Sequence, residues 1–233
     1  LTFSYRYVED DSGVEYPVYS PTILSKGDTI QLLVREAGSD ELLSQVRFSS
    51  SNKASASVTP GGSLACHGTG SFFITAEYEK HTYQLSFYIR DESDPSNLLS
   101  SEIYTIDRQH NTVTGFPLKT VISKAIRGFS GNGVIRIVSA EGEPQDTGYV
   151  GTGMAIELLQ EGKAVDRLIF LVPMDLNGDG KLTEKDCSLL KDQLLERVPL
   201  APLAQSVSDV NQDGRVNSID LYLMYCYKRT HGN

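Results

Sequence analysis

Residues 175–186 read Asp175-Leu-Asn177-Gly-Asp179-Gly180-Lys181-Leu-Thr183-Glu184-Lys185-Asp186, and residues 209–220 read Asp209-Val-Asn211-Gln-Asp213-Gly214-Arg215-Val-Asn217-Ser218-Ile219-Asp220. One pattern, D-x-N-x-D-G-x5-D, therefore returns after 34 residues. No other feature restricts the fold of this chain as tightly. Oxygens at positions 1, 3 and 5 can share one ion only if the backbone winds round it, and Gly at position 6 permits the sharp turn. Position 7 offers its carbonyl, position 9 often acts through water, and position 12 closes the shell from the first turn of a helix. Each copy must therefore be a loop that opens a helix.

The donors are numerous, flexible and oxygen-only, which suits Ca2+ better than Mg2+. Neither loop holds His or Cys, so zinc fits poorly. The expected ligands of the first ion are Asp175, Asn177, Asp179, the Lys181 carbonyl, Thr183 through water, and Asp186. Those of a second ion are Asp209, Asn211, Asp213, the Arg215 carbonyl, Asn217 through water, and Asp220. The pattern is the EF-hand calcium loop with Asp in place of the final Glu.

A calmodulin-type sensor needs a helix entering each loop. Here a strand-like run over residues 167–172 is followed only by Pro173 and Met174, and residues 197–208 carry Pro199 and Pro202 and allow one or two turns. Loop-then-helix, twice, without entering helices, resembles the dockerin family over about residues 173–228. The resemblance implies a small all-α module with two F-hand-type calcium loops. It also implies docking of a secreted or cell-surface bacterial protein onto a cohesin of a scaffolding protein, as in cellulosome-like, polysaccharide-degrading assemblies. A piece of roughly 60 residues is marginal alone. Each ion held at 1,000 times its dissociation constant adds ~4 kcal/mol, so chelation is expected to unfold the tail.

Helical spacing separates two stripes in each repeat. Cys187, Leu190 and Leu194 match Leu221, Met224 and Lys228 as an inner face, with the Lys228 stem laid along it. The outer stripe is polar in repeat 1 (Lys185, Ser188, Leu189, Asp192) and apolar in repeat 2 (Ile219, Tyr222, Leu223, Cys226). In dockerins, loop positions 10 and 11 and the following helix contact the cohesin. By that resemblance Glu184, Lys185, Ser218 and Ile219 are contact residues, and the apolar repeat-2 stripe is the main face. The two copies differ in chemistry, which argues against symmetric, either-way-round docking. The alternative is that Ile219, Tyr222 and Leu223 pack on the neighbouring module.

The rest of the chain is strand-rich, giving a multi-domain expectation: residues 1–92, residues 98–173 and residues 174–233. Residues 82–90 alternate Tyr83, Leu85, Phe87 and Ile89 with polar or amphipathic neighbours, as a half-buried strand does. With Lys26-Gly-Asp-Thr-Ile-Gln-Leu32, Val46-Arg-Phe-Ser-Ser-Ser-Asn52 and Ile74-Thr-Ala76, the first module resembles a group 2 bacterial immunoglobulin-like domain, implying an all-β sandwich. Phe48 stands where that family usually has Trp. Residues 91–97 are a polar, Pro-containing linker. Residues 98–173 read as a small α+β, β-rich module with one helix over 118–126. It resembles modules that precede dockerins in surface proteins, on Tyr104-Thr-Ile-Asp107, Asn111-Thr-Val-Thr-Gly115 and Val150-Gly-Thr-Gly153.

Lys plus Arg is 21 against 30 Asp plus Glu, so the net charge is −9 and no basic footprint for nucleic acid exists. No apolar run is long enough for a membrane span. The chain starts at Leu1 without a signal-peptide pattern, as expected of a processed or excised C-terminal piece. Its three Cys read as thiols. No catalytic residues are expected: Cys66 and His67 are strand neighbours pointing to opposite faces. Residues 128–133 match neither G-x-S-x-G nor G-x-G-x-x-G, and 178–181 lack the features of a P-loop. Two other functions remain open, a surface adhesin or glycan-binding protein with a calcium-stabilised tail, and the tail of a larger glycoside hydrolase.

Overall fold

The described residues of 1–98 form nine strands: β1 (Thr2–Tyr7), β2 (Tyr16–Pro17), β3 (Thr22–Ser25), β4 (Thr29–Arg35), β5 (Arg47–Ser50), β6 (Ala56–Val58), β7 (Ser63–Cys66), β8 (Gly70–Tyr78) and β9 (His81–Arg90). They form a five-stranded sheet ordered β2-β1-β4-β7-β6 and a four-stranded sheet ordered β3-β9-β8-β5. The pairings in these two sheets are antiparallel except β3 with β9. Each sheet buries alternate residues, Tyr5, Ile30 and Leu64 in one and Phe72, Ile74, Phe87 and Ile89 in the other. The Phe3 and Tyr83 rings, one from each sheet, meet at 5.5 Å. Gly62 has no room for a side chain: its backbone is left-handed (φ +90°) and a Cβ would lie 2.9 Å from the Phe48 ring.

Six more strands, β10 (Thr105–Asp107), β11 (Thr112–Thr114), β12 (Val134–Val138), β13 (Pro144–Gln145), β14 (Ala155–Gln160) and β15 (Lys163–Phe170), form a sheet ordered β10-β11-β15-β14-β12-β13. β11 and β15 pair in parallel, Thr112 opposite Ile169. The two-residue turn between β14 and β15 takes positive φ at both Glu161 and Gly162, the I′ geometry of a tight hairpin. Helix α1 spans only Ile122–Ile126, less than the expected 118–126. Lys119 has φ +62° and the Thr120 hydroxyl donates to the Pro117 carbonyl, so residues 117–120 turn instead of winding. Residues 91–97 are ordered as well, with a 3-10 turn (Pro95–Asn97) capped by Asp94.

This computed structural model describes residues 1–10, 14–18 and 21–231. By internal contacts the chain divides into residues 1–98, 131–134 and 158–167 as one unit, and residues 99–130, 135–157 and 168–233 as another. The second unit holds the C-terminal helices α2 (Glu184–Leu194), α3 (Pro202–Ser206) and α4 (Ser218–His231). Their core is Leu176, Cys187, Leu190, Leu200, Ala204, Val207 and Met224, with Leu194 and Leu221 packed against it. The fold as a whole is mostly β with a few helices. No described helix is long and apolar enough to cross a membrane.

Candidate calcium loops and docking face

The two repeats fold with one hydrogen-bond pattern. At position 3, the Asn177 carbonyl oxygen accepts from the Asp179 amide (3.0 Å), and Asn211 does the same for Asp213 (3.1 Å). At position 5, Asp179 Oδ1 accepts from the Lys181 amide and Asp213 Oδ1 from the Arg215 amide, each at 2.9 Å. The position-6 glycines sit at φ +75° (Gly180) and +80° (Gly214), where L side chains are strained. At position 9 the Thr183 hydroxyl and the Asn217 side chain cap their helices, accepting from Lys185 and Ile219 amides. Thr183 and Asp186 complete a capping box.

The position-12 carboxylates are fully buried and lace each loop shut. Asp186 Oδ1 accepts from the amides of Leu176 (3.0 Å) and Asn177 (3.1 Å), and Oδ2 from the Thr183 amide (2.8 Å). Asp220 repeats this with Val210 (2.8 Å), Asn211 (3.4 Å) and Asn217 (2.9 Å). The acids therefore sit around the loop, and among the described residues no three His, Cys, Asp or Glu side chains converge as a closed cage.

Position 1 differs between the copies. Asp209 is half-buried and its oxygens accept from its own loop, Asp213 (3.2 Å) and Gly214 (2.8 Å). Asp175 is fully buried. Its Oδ2 accepts from the Thr152 amide at 2.7 Å, while Oδ1 has no hydrogen-bond partner. A buried, unsatisfied carboxylate oxygen is costly, and a bound cation is what relieves it. Burial pushes the metal-free Asp175 carboxyl up to about 6, against the pull of the Thr152 and Gly180 amides. An oxygen-only donor set with an orphaned buried oxygen fits calcium.

Around the loops lie the expected contact residues. Ile219 and Tyr222 are 52% and 66% exposed. Ser218 is exposed, and Leu223 and Cys226 are partly buried. In repeat 1 Lys185 is exposed, whereas Glu184 is engaged: Lys228 ion-pairs with it and the Tyr225 hydroxyl donates to it (3.3 Å). The Lys228 bond holds Glu184 below the usual carboxylate range. A groove of about 730 Å3 runs here, lined by Lys119, Lys181, Glu184, Tyr222, Tyr225 and Cys226 among others. Lys228, expected along the inner face, thus reaches across to repeat 1. The contributions of Thr152, Lys119 and Tyr225 had no expectation attached. The one sequence signal for them is Gly178 at position 4, where the second repeat has Gln212.

Burial pushes the Cys66 thiol up to about 12, and His67 instead meets the Ser57 hydroxyl at 2.8 Å.

A family model for the dockerin type I domain matches residues 173–227. No curated protein matches the chain. Among solved structures, the chain is similar to an EHEC O157:H7 intimin mutant at 14% identity, over 44% of this chain and 49% of that one, with a TM-score of 0.29. It is similar to domains 4 and 5 of the S-layer protein SbsC at 14% identity, over 74% and 98%, with a TM-score of 0.27. It is similar to SbsC domains 1–6 at 14% identity, over 73% and 27%, with a TM-score of 0.26. The chain thus spans about half the length of the intimin chain (49%). Likenesses this loose carry no argument. The family match does: it supports a C-terminal dockerin type I domain over residues 173–227, a non-catalytic kind of module that in general binds calcium and docks onto cohesins.

Proposed function

We propose that this chain is the calcium-dependent docking end of a bacterial protein that works outside the cell, held on a cohesin of a scaffolding or surface protein. The observation that carries it is the near-identical lacing of two D-x-N-x-D-G loops, each opening a helix, inside the segment that matches the dockerin model. Two ions are held. Asp175, Asn177, Asp179, the Lys181 carbonyl, Thr183 through water and Asp186 serve one; Asp209, Asn211, Asp213, the Arg215 carbonyl, Asn217 through water and Asp220 serve the other. Calcium held there would offset the carboxylate charge of the loops. The chain's own residues do the docking. Ser218, Ile219, Tyr222, Leu223 and Cys226 form the main face, with Glu184 and Lys185 at its edge. Ile219 and Tyr222 support this, since they are large apolar side chains left in water at one end of a helix whose other face is core.

The strand-rich remainder reads as a group 2 immunoglobulin-like spacer followed by a dockerin-proximal module, and the assembly as cellulosome-like. The test is capture from an extracellular fraction of the source organism on the immobilised chain, with calcium and with EGTA. A cohesin recovered only with calcium is the expected result. Ile219→Asp is expected to abolish capture while the calcium isotherm stays as in the parent. Recovery independent of calcium, or full affinity in the variant, overturns the reading.

A further inference from the structure

Loop 1 is not left to itself. Residues 149–153 lie along it so closely that no side chain fits between: a Cβ on Gly151 would stand 1.9 Å from the Gly178 carbonyl oxygen, and one on Gly178 2.7 Å from the Thr152 oxygen. A Cβ on Gly180 would meet the Val150 oxygen at 2.5 Å. The Lys119 amide donates to the Gly180 carbonyl (2.8 Å), and the Thr152 hydroxyl bonds both backbone groups of Val172 (3.2 and 3.1 Å). Backbone conformation does not explain Gly178, because Gln212 occupies the equivalent position 4 with φ +58°. Gly178 is small because another segment presses on it. Around loop 2, a Cβ on Gly214 would meet nothing within 4 Å.

We propose that the 149–153 segment is a positioning element for the first calcium site, making the two sites unequal. Its key group is the Thr152 amide, which holds Asp175 Oδ2 and leaves Oδ1 as the free ligand oxygen inside a loop already closed by backbone contact. In loop 2 both oxygens of Asp209 are taken by loop amides, so an ion must compete for them and order an exposed loop. Outer contacts of this kind change metal affinity by roughly 10–100-fold, and preorganisation removes an ordering cost. Loop 1 therefore binds calcium at least about tenfold more tightly than loop 2.

This rests on the calcium reading above, and the experiment separates the two. The intact chain is titrated with Ca2+ while amide NMR follows Gly180 and Gly214, the position-6 residues of the two loops. Gly180 is expected to saturate first. In Gly151→Ala the added methyl drives residues 149–153 off loop 1, and the Gly180 midpoint is expected to rise about tenfold or more while the Gly214 midpoint stays put. Thr152→Ser keeps both amide and hydroxyl and should behave as the parent. If neither glycine responds to calcium, the functional reading falls and this inference with it. If both respond at one midpoint in the parent, or Gly151→Ala weakens both alike, only this inference falls. The parent titration decides even if Gly151→Ala does not fold.

Discussion

Individual side chains show how much a neighbour can change a residue's role. Asp175 and Asp209 occupy the same motif position, yet one is sealed and served from outside its loop and the other is half in water. The motif made the shape and hydrogen bonding of each loop legible, because each loop position tolerates few residues. It could not show the Thr152 amide, since a backbone donor 23 residues upstream leaves no mark on a spacing pattern. Gly178 was the only visible trace. The cysteines carry a second contrast. Cys66 and Cys187 are buried, and burial raises both thiols; Cys226 is partly exposed on the stripe proposed to dock. In the folded, calcium-loaded chain, a charged alkylating reagent is expected to label Cys226 alone, because the thiolate is the nucleophile and needs solvent. Mass spectrometry finding rapid labelling at Cys66 would contradict the packing described.

Among the elements, the helices after the loops were readable and those elsewhere were less so. α2 and α4 begin at position 10 of their loops because a capping residue and a buried carboxylate stand at positions 9 and 12. α1 is shorter than its apolar spacing suggests, since a turn with a left-handed Lys119 consumes its first half. The parallel pairing of β11 with β15 joins residues 57 positions apart and has no local signature. The helices α2, α3 and α4 enclose few core side chains, so bound calcium is expected to contribute a large share of their stability. With calcium at 1,000 times Kd, each site adds ~4 kcal/mol. Excess EGTA is expected to remove the α2 and α4 signal at 222 nm and to expose Cys187 to labelling while Cys66 stays protected. A circular dichroism spectrum unmoved by EGTA would show that the tail folds without metal.

Across the whole molecule, a buried ion pair ties distant stretches of sequence within one unit. Arg90, with no exposed surface, donates to Asp166 (2.9 Å), to the Ser25 hydroxyl (2.6 Å) and to Glu92 (2.8 Å). Asp166 lies within β15, in the stretch 158–167 that belongs to the same unit as β9. Nothing in the alternation of β9 announces that its last residue is a cation with a buried partner 76 positions on. Removing one member of such a pair strands the other, at a cost of ~3–5 kcal/mol. Arg90→Met is expected to lower the unfolding free energy by about that amount in denaturant titration, and Arg90→Met with Asp166→Leu to recover most of it. A single variant as stable as the parent would show the pair to be incidental.

The place of β15 has a mechanical consequence. It is flanked on both sides, by β11 and β14, and only residues 171–174 separate its end from the first calcium loop. Tension on a docked tail therefore enters the sheet along the axis of an interior strand. Ladder hydrogen bonds run across the strands, so such a pull loads the rungs on both flanks in shear and together, not one at a time from an edge.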